Sequence, residues 1–123
     1  MTAQEQVENF LTFLQGENLK QEDAKKFLTV TQCEESKLVG KPPVEGGING
    51  LYFVLKKAKS FKLDVKTSSN KVTKDVIVTL DLIEGWVEET EIKFQLRCVK
   101  ESDIRKTSED GRWGININSF KQI

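Results

Sequence analysis

The chain changes its apolar period once, and that change constrains the fold more than any other feature. Between residues 3 and 28 apolar side chains recur at helical spacing; from Phe61 onward they fall on every second position, through four successive segments. Helical spacing turns one stripe of a helix toward a core, and alternation turns one face of a strand there. Helices followed by strands that are dry on one side predict an α+β fold, with N-terminal helices packed on one face of an antiparallel sheet of four to five strands. The 123 residues show no repeat and no break in composition, so residues 1–123 read as one domain, long enough to bury a core.

Thr2-Ala3-Gln4-Glu5 has the form of a capping box, with Val7, Phe10, Leu11 and Leu14 as the buried stripe and Gly16 as the stop. A second helix is expected from Asn18, burying Ala24, Phe27 and Leu28. Residues 30–47 are weakly periodic and read as a loop or a short strand around Leu38 and Val39, then a turn, since Pro42-Pro43 forbids a regular helix. Residues 48–58 are open between helix and strand. The stripe Ile48, Leu51, Val54, Leu55 and Ala58, ending in lysines, favours a short helix.

The strand rows are clearer. Phe61, Leu63 and Val65 form the first dry row, and Val72, Val76, Val78, Leu80 and Leu82 the second. Ile92, Phe94, Leu96 and Cys98 form the third, and Trp113, Ile115 and Ile117 the fourth. Turns are expected at Ser68-Ser69-Asn70 and Glu84-Gly85, with a polar loop over about 100–111 ending in Asp110-Gly111. The opposite face is Lys, Asp, Thr, Glu, Gln, Arg and Asn, with Ile77 as the exception.

Composition narrows the function classes. Basic and acidic residues number 19 each, giving a net charge of +0 with both signs spread along the chain. The basic stripe that supplies affinity for phosphate backbones is missing, so no nucleic-acid partner is expected. The chain has no histidine and only Cys33 and Cys98 as thiols, in different periodic contexts. That is a poor ligand set for zinc, no other cofactor is indicated, and Cys98 is read as a buried free thiol. No apolar run is long enough for a membrane span. A soluble domain is expected, cytoplasmic or exported after loss of a signal or anchor, and the status of Met1 as the natural start is open.

Three stretches carry a family resemblance: Gly16 to Leu28 as the turn into a second helix, Val76 to Leu82 as a long central strand, and Glu109-Asp110-Gly111-Arg112-Trp113-Gly114-Ile115 as a closing hairpin. Together they resemble the nuclear transport factor 2-like superfamily of cystatin-like, cone-shaped domains, over nearly the whole chain. The resemblance implies a curved sheet with a cavity between it and the helices. It does not choose among the isomerases, cyclases, adaptors and secretion or lipoprotein domains built on that fold.

Enzymes of this superfamily usually carry an Asp, His or Tyr in the cavity. Here Asp64, Asp75, Asp81 and Glu91 all fall on the wet rows, so no catalytic residue is assigned. Tyr52, Phe94 and Trp113 are the residues placed to meet a ligand, although each also has the commoner role of packing. Trp86, after a glycine at a hairpin tip, is the candidate for a protein partner. The sequence reading is a non-catalytic domain that binds a small apolar ligand or a protein partner. Its alternatives are the soluble domain of a membrane-attached secretion, conjugation or lipoprotein component, and a small isomerase- or cyclase-like enzyme. A monomer is expected, or a dimer that does not use the charged sheet face.

Overall fold

The computed structural model describes residues 2–16, 21–31, 33, 55–66, 70–82, 91–102 and 107–122, with backbone alone at 21, 22, 117, 118 and 120. Its elements are helix α1 (Ala3–Leu14), a 3₁₀ helix (Gln21–Lys26), and strands β1 (Ala58–Lys66), β2 (Thr73–Leu82), β3 (Glu91–Glu101) and β4 (Arg112–Gln122). The strands form a curved, open antiparallel sheet in the order β1-β2-β3-β4, the α+β architecture that the two periods require.

Helix α1 starts where its cap allows. The Glu5 amide donates to Thr2 Oγ1 at 3.1 Å, and the Thr2 hydroxyl donates to the Glu5 carboxylate at 3.3 Å. The helix ends at a Gln15 cap, and the Gly16 amide donates to the Phe13 carbonyl. Val7, Phe10, Leu11 and Leu14 are buried on the face that meets β1, β2 and β4.

The second helix differs from expectation in kind. Ala24, Phe27 and Leu28 are all buried, but Gln21–Lys26 winds as a 3₁₀ helix and the chain then extends. Leu28 pairs in parallel with Ile115: the Ile115 amide donates to the Phe27 carbonyl at 2.8 Å, and the Thr29 amide to the Ile115 carbonyl at 3.2 Å. This short segment covers the β4 edge of the sheet, which would otherwise offer unpaired backbone groups. The close approach needs Gly114. A Cβ there would lie 2.7 Å from Thr29 Cα and 2.8 Å from its amide nitrogen.

The dry rows hold across the sheet. Val76, Val78, Leu80 and Leu82 of β2 are buried, with Phe94, Leu96 and Cys98 of β3 and Ile115 of β4. β1 is drier at Phe61 and Leu63 than at its end, where Val65 is exposed. Ala58, placed on a helical stripe by the sequence, instead opens β1, just after the buried Leu55. Leu55 itself is helical, and residues 30, 31 and 33, expected in a loop, are helical too, the Cys33 amide donating to the Thr29 carbonyl at 3.2 Å. Residues 34–54 and the turn at Glu84-Gly85 lie outside the described residues.

Two irregularities shape the edges. Ala58 faces Leu82 and Ser60 faces Asp81, so one residue of β1 bulges. On the other side Arg97 pairs with Asn116 but Gln95 with Lys121, so β4 takes five steps where β3 takes two. Ser119 spans this break: its hydroxyl accepts from the Arg97 amide at 2.7 Å and donates to the Asn116 carbonyl.

Candidate functional site

A concave site among the described residues lies where α1 and the 3₁₀ helix meet the start of β4. It is a cleft of about 730 Å³. Its frame is set by Gln6, a polar residue on the buried face of α1. The two hydrogens of its side-chain amide go to the Lys26 carbonyl at 2.8 Å and the Trp113 carbonyl at 2.9 Å. One side chain thus fixes three elements to each other, and both hydrogens of its amide nitrogen are used.

The walls are aromatic. Phe27 packs between Phe10 and Phe13, with ring centroids 5.7 and 5.3 Å apart, and presents part of its ring to the cleft. Trp113, half-buried against the core, forms the opposite wall. Each ring carries a lysine. Lys26 Nζ lies 5.4 Å from the Phe27 centroid, and Lys100 Nζ 5.7 Å from the Trp113 centroid, both within cation–π range.

Arg112 completes the lining. Its Nη1 and Nη2 donate to the carbonyls of Lys26 and Lys25, each at 3.3 Å, which ties the guanidinium to the end of the 3₁₀ helix. Three of its five N–H groups remain. The cleft therefore joins two aromatic rings, three cations and the exposed amide of Asn9 on α1, with no acidic residue in its lining among the described residues. Among the described residues no carboxylate lies within ion-pair distance of Lys26, Lys100 or Arg112.

Lys100 reaches the cleft because β3 runs to Glu101, into a stretch expected to be loop. The Lys100 amide donates to the Val72 carbonyl at 2.8 Å, and Lys100 pairs with Trp113 across β3 and β4. Glu101, on the opposite face, is a buried acid. Its carboxylate accepts from the Val30 amide at 3.1 Å and the Thr31 hydroxyl at 2.7 Å, and so anchors the segment that follows the β4 edge pairing. Gly111 sits against it, since a Cβ there would fall 2.2 Å from the Glu101 carbonyl oxygen.

Of the side chains expected to meet a ligand, Trp113 lines this cleft. Phe94 is 1% exposed and belongs to the packed interior, where Leu80 and Leu96 show no exposed surface. Tyr52 and Trp86 lie outside the described residues. Sequence reasoning passed over Gln6, Asn9, Lys26, Lys100 and Arg112. For Lys100 a signal existed: it continues the every-second-residue row Phe94, Leu96, Cys98. The others are polar residues that apolar periodicity discards.

Both cysteines are buried, and neither is in a disulfide. Burial, with the negative charge of Asp75 nearby, pushes the Cys98 thiol up to about 12. No three His, Cys, Asp or Glu side chains come together as metal ligands among the described residues, and no described helix is long and apolar enough to cross a membrane. No family model, curated protein or solved structure matches the chain.

Proposed function

We propose that this protein is a non-catalytic binding domain of the nuclear transport factor 2-like kind, and that its ligand site is the cleft between α1 and the start of β4. One observation carries the reading: a cleft of about 730 Å³, in the size range of small-molecule sites, has aromatic walls and a few fixed polar groups. The space between α1 and the middle of the sheet does not compete, because Phe10, Leu11, Val78, Leu80, Phe94 and Leu96 fill it. The ligand accordingly has an apolar body that rests against Phe27 and Trp113.

The enzyme alternative needs an acid or base at the reacting atoms. Among the described residues the cleft lining supplies no carboxylate, and Glu101 spends its oxygens on Val30 and Thr31. The test is a nuclear magnetic resonance screen with small aromatic fragments against wild type and Asn9→Trp, which fills the cleft from an exposed position on α1. Fragments that move the Trp113 indole and Gln6 amide signals, and cease to bind the folded variant, support the site. Fragments that bind both proteins alike, or move signals elsewhere, overturn it.

A further inference from the structure

We infer that the ligand of this cleft carries a compact dianion, a phosphate monoester, on its apolar body. The inference rests on the cleft being the ligand site and adds the chemistry of the ligand's head group. In a chain whose charges balance at 19 and 19, Lys26, Lys100 and Arg112 are a local excess of three positive charges. Lys71, Lys93 and Arg97 have acidic partners in Glu109, Glu91 and Asp75, while other described lysines such as Lys62 and Lys66 stand singly on the outer sheet face rather than together in a cleft. None of the three cleft cations has an acidic partner among the described residues.

Each of the three cations already has a contact within the chain before any ligand arrives. The ammonium groups of Lys26 and Lys100 sit over Phe27 and Trp113, and the Arg112 guanidinium is pinned by two carbonyls with three N–H groups left to donate. Contacts that restrain charged donors in advance reduce the ordering cost of binding. Three separate cationic donors match a group with three acceptor oxygens and close to two negative charges, which a phosphate monoester has near neutral pH and a single carboxylate has not. Aromatic walls beside the cations fit an ester's organic body rather than a free inorganic ion.

The experiment titrates the full chain with phenyl phosphate, benzyl alcohol and inorganic phosphate, following the Trp113 indole and Gln6 amide resonances, at low and at high salt. Phenyl phosphate is expected to bind at least about tenfold more tightly than benzyl alcohol, as charge-assisted hydrogen bonds imply. It should also bind more tightly than inorganic phosphate, and should weaken as salt is raised. Lys100→Gln and Arg112→Gln should each remove most of that preference. Because Arg112 also braces the 3₁₀ helix, Lys100→Gln alone decides if the arginine variant does not fold. Equal binding of benzyl alcohol and phenyl phosphate overturns the dianion and leaves the cleft as the site. Inorganic phosphate binding as tightly as the ester overturns the organic phosphate. Signals that move only outside the cleft, or for no probe, overturn both this inference and the reading of the cleft as the ligand site.

Discussion

The Gln6 side-chain amide donates to the Trp113 carbonyl at 2.9 Å, joining residues 107 positions apart in the chain. Its second hydrogen holds the Lys26 carbonyl, so the first helix, the 3₁₀ helix and the last strand meet at one nitrogen. Gln6→Leu keeps the volume and removes both donors, leaving two carbonyls beside an apolar group. The expected loss is about 1–3 kcal/mol of unfolding free energy. Urea denaturation measures it, and an unchanged midpoint would show that the pair of bonds holds nothing together.

Glu101 makes the corresponding connection at the other end of the edge segment, through Val30 and Thr31. Glu101→Ala strips both donors of their acceptor in a buried place and should cost about 1–3 kcal/mol. Thr31→Val removes one of the two bonds and should cost less. A thermal melt of both variants orders them; equal losses would place the effect in packing around Glu101 rather than in its oxygens.

Much of the fold could be read from the chain, and the reasons are local. Val76, Val78, Leu80 and Leu82 alternate with more exposed residues over a full strand, and a strand of that pattern buries one face wherever it sits. The cap at Thr2 announces α1 for a similarly local reason. Val65 is exposed although it belongs to a dry row, because it lies toward the end of the edge strand β1 and burial depends on what covers a residue. The cleft was harder to foresee. Lys26 and Arg112 come together through the pairing of Leu28 with Ile115, a contact across 87 positions that no local pattern encodes. Gln6 stands on a buried face only because two carbonyls from distant segments need its donors.

The parallel pairing of Leu28 with Ile115 requires a residue without a side chain at 114. In Gly114→Ala the new methyl meets Thr29 Cα at 2.7 Å and the Leu28 carbonyl carbon at 2.9 Å, both backbone atoms that yield only if the segment moves. Overpacking of this sort costs about 1–3 kcal/mol. The Ile115 and Thr29 amides, protected by this pairing in the wild type, should exchange with solvent much faster in the variant. Unchanged exchange at those two amides would refute the assigned edge contact.

Cys98 gives the fold an alkaline limit. Burial, and then the charge of Asp75, pushes its thiol up to about 12 in the native state from the 9.0 of an exposed thiol. The native state holds this proton more tightly than the unfolded chain does. The contribution is therefore whole below 9.0 and is lost as the pH rises from there towards 12. The slope reaches about 1.4 kcal/mol per pH unit at most. Other groups titrate in the same range, so the quantity to measure is the difference between wild type and Cys98→Ala. That difference should shrink with rising pH across the window; a constant one would show that the thiol does not ionise on unfolding.

The outer face of the sheet bears on assembly. Pairing across the strands sets Lys62 beside Thr79 and Thr79 beside Lys93, while Lys66, Asp75, Arg97 and Asn116 form a second row. Lys62, Lys66, Lys93 and Arg97 are exposed, and Ile77 and Val99, both half-buried, offer little apolar centre. Arg97 bonds Asp75 at 3.1 Å within the same sheet, so that carboxylate is already engaged by its own chain. Pressing two such faces together would bury charges whose desolvation needs close pairing to offset it, and stable homodimer interfaces are drier than this. Light scattering at micromolar concentration should therefore report a monomer, with Lys93→Glu leaving the mass unchanged. A wild-type dimer that Lys93→Glu dissociates would make the charged face the interface and overturn the prediction. A dimer indifferent to that substitution would locate the contact away from the sheet face.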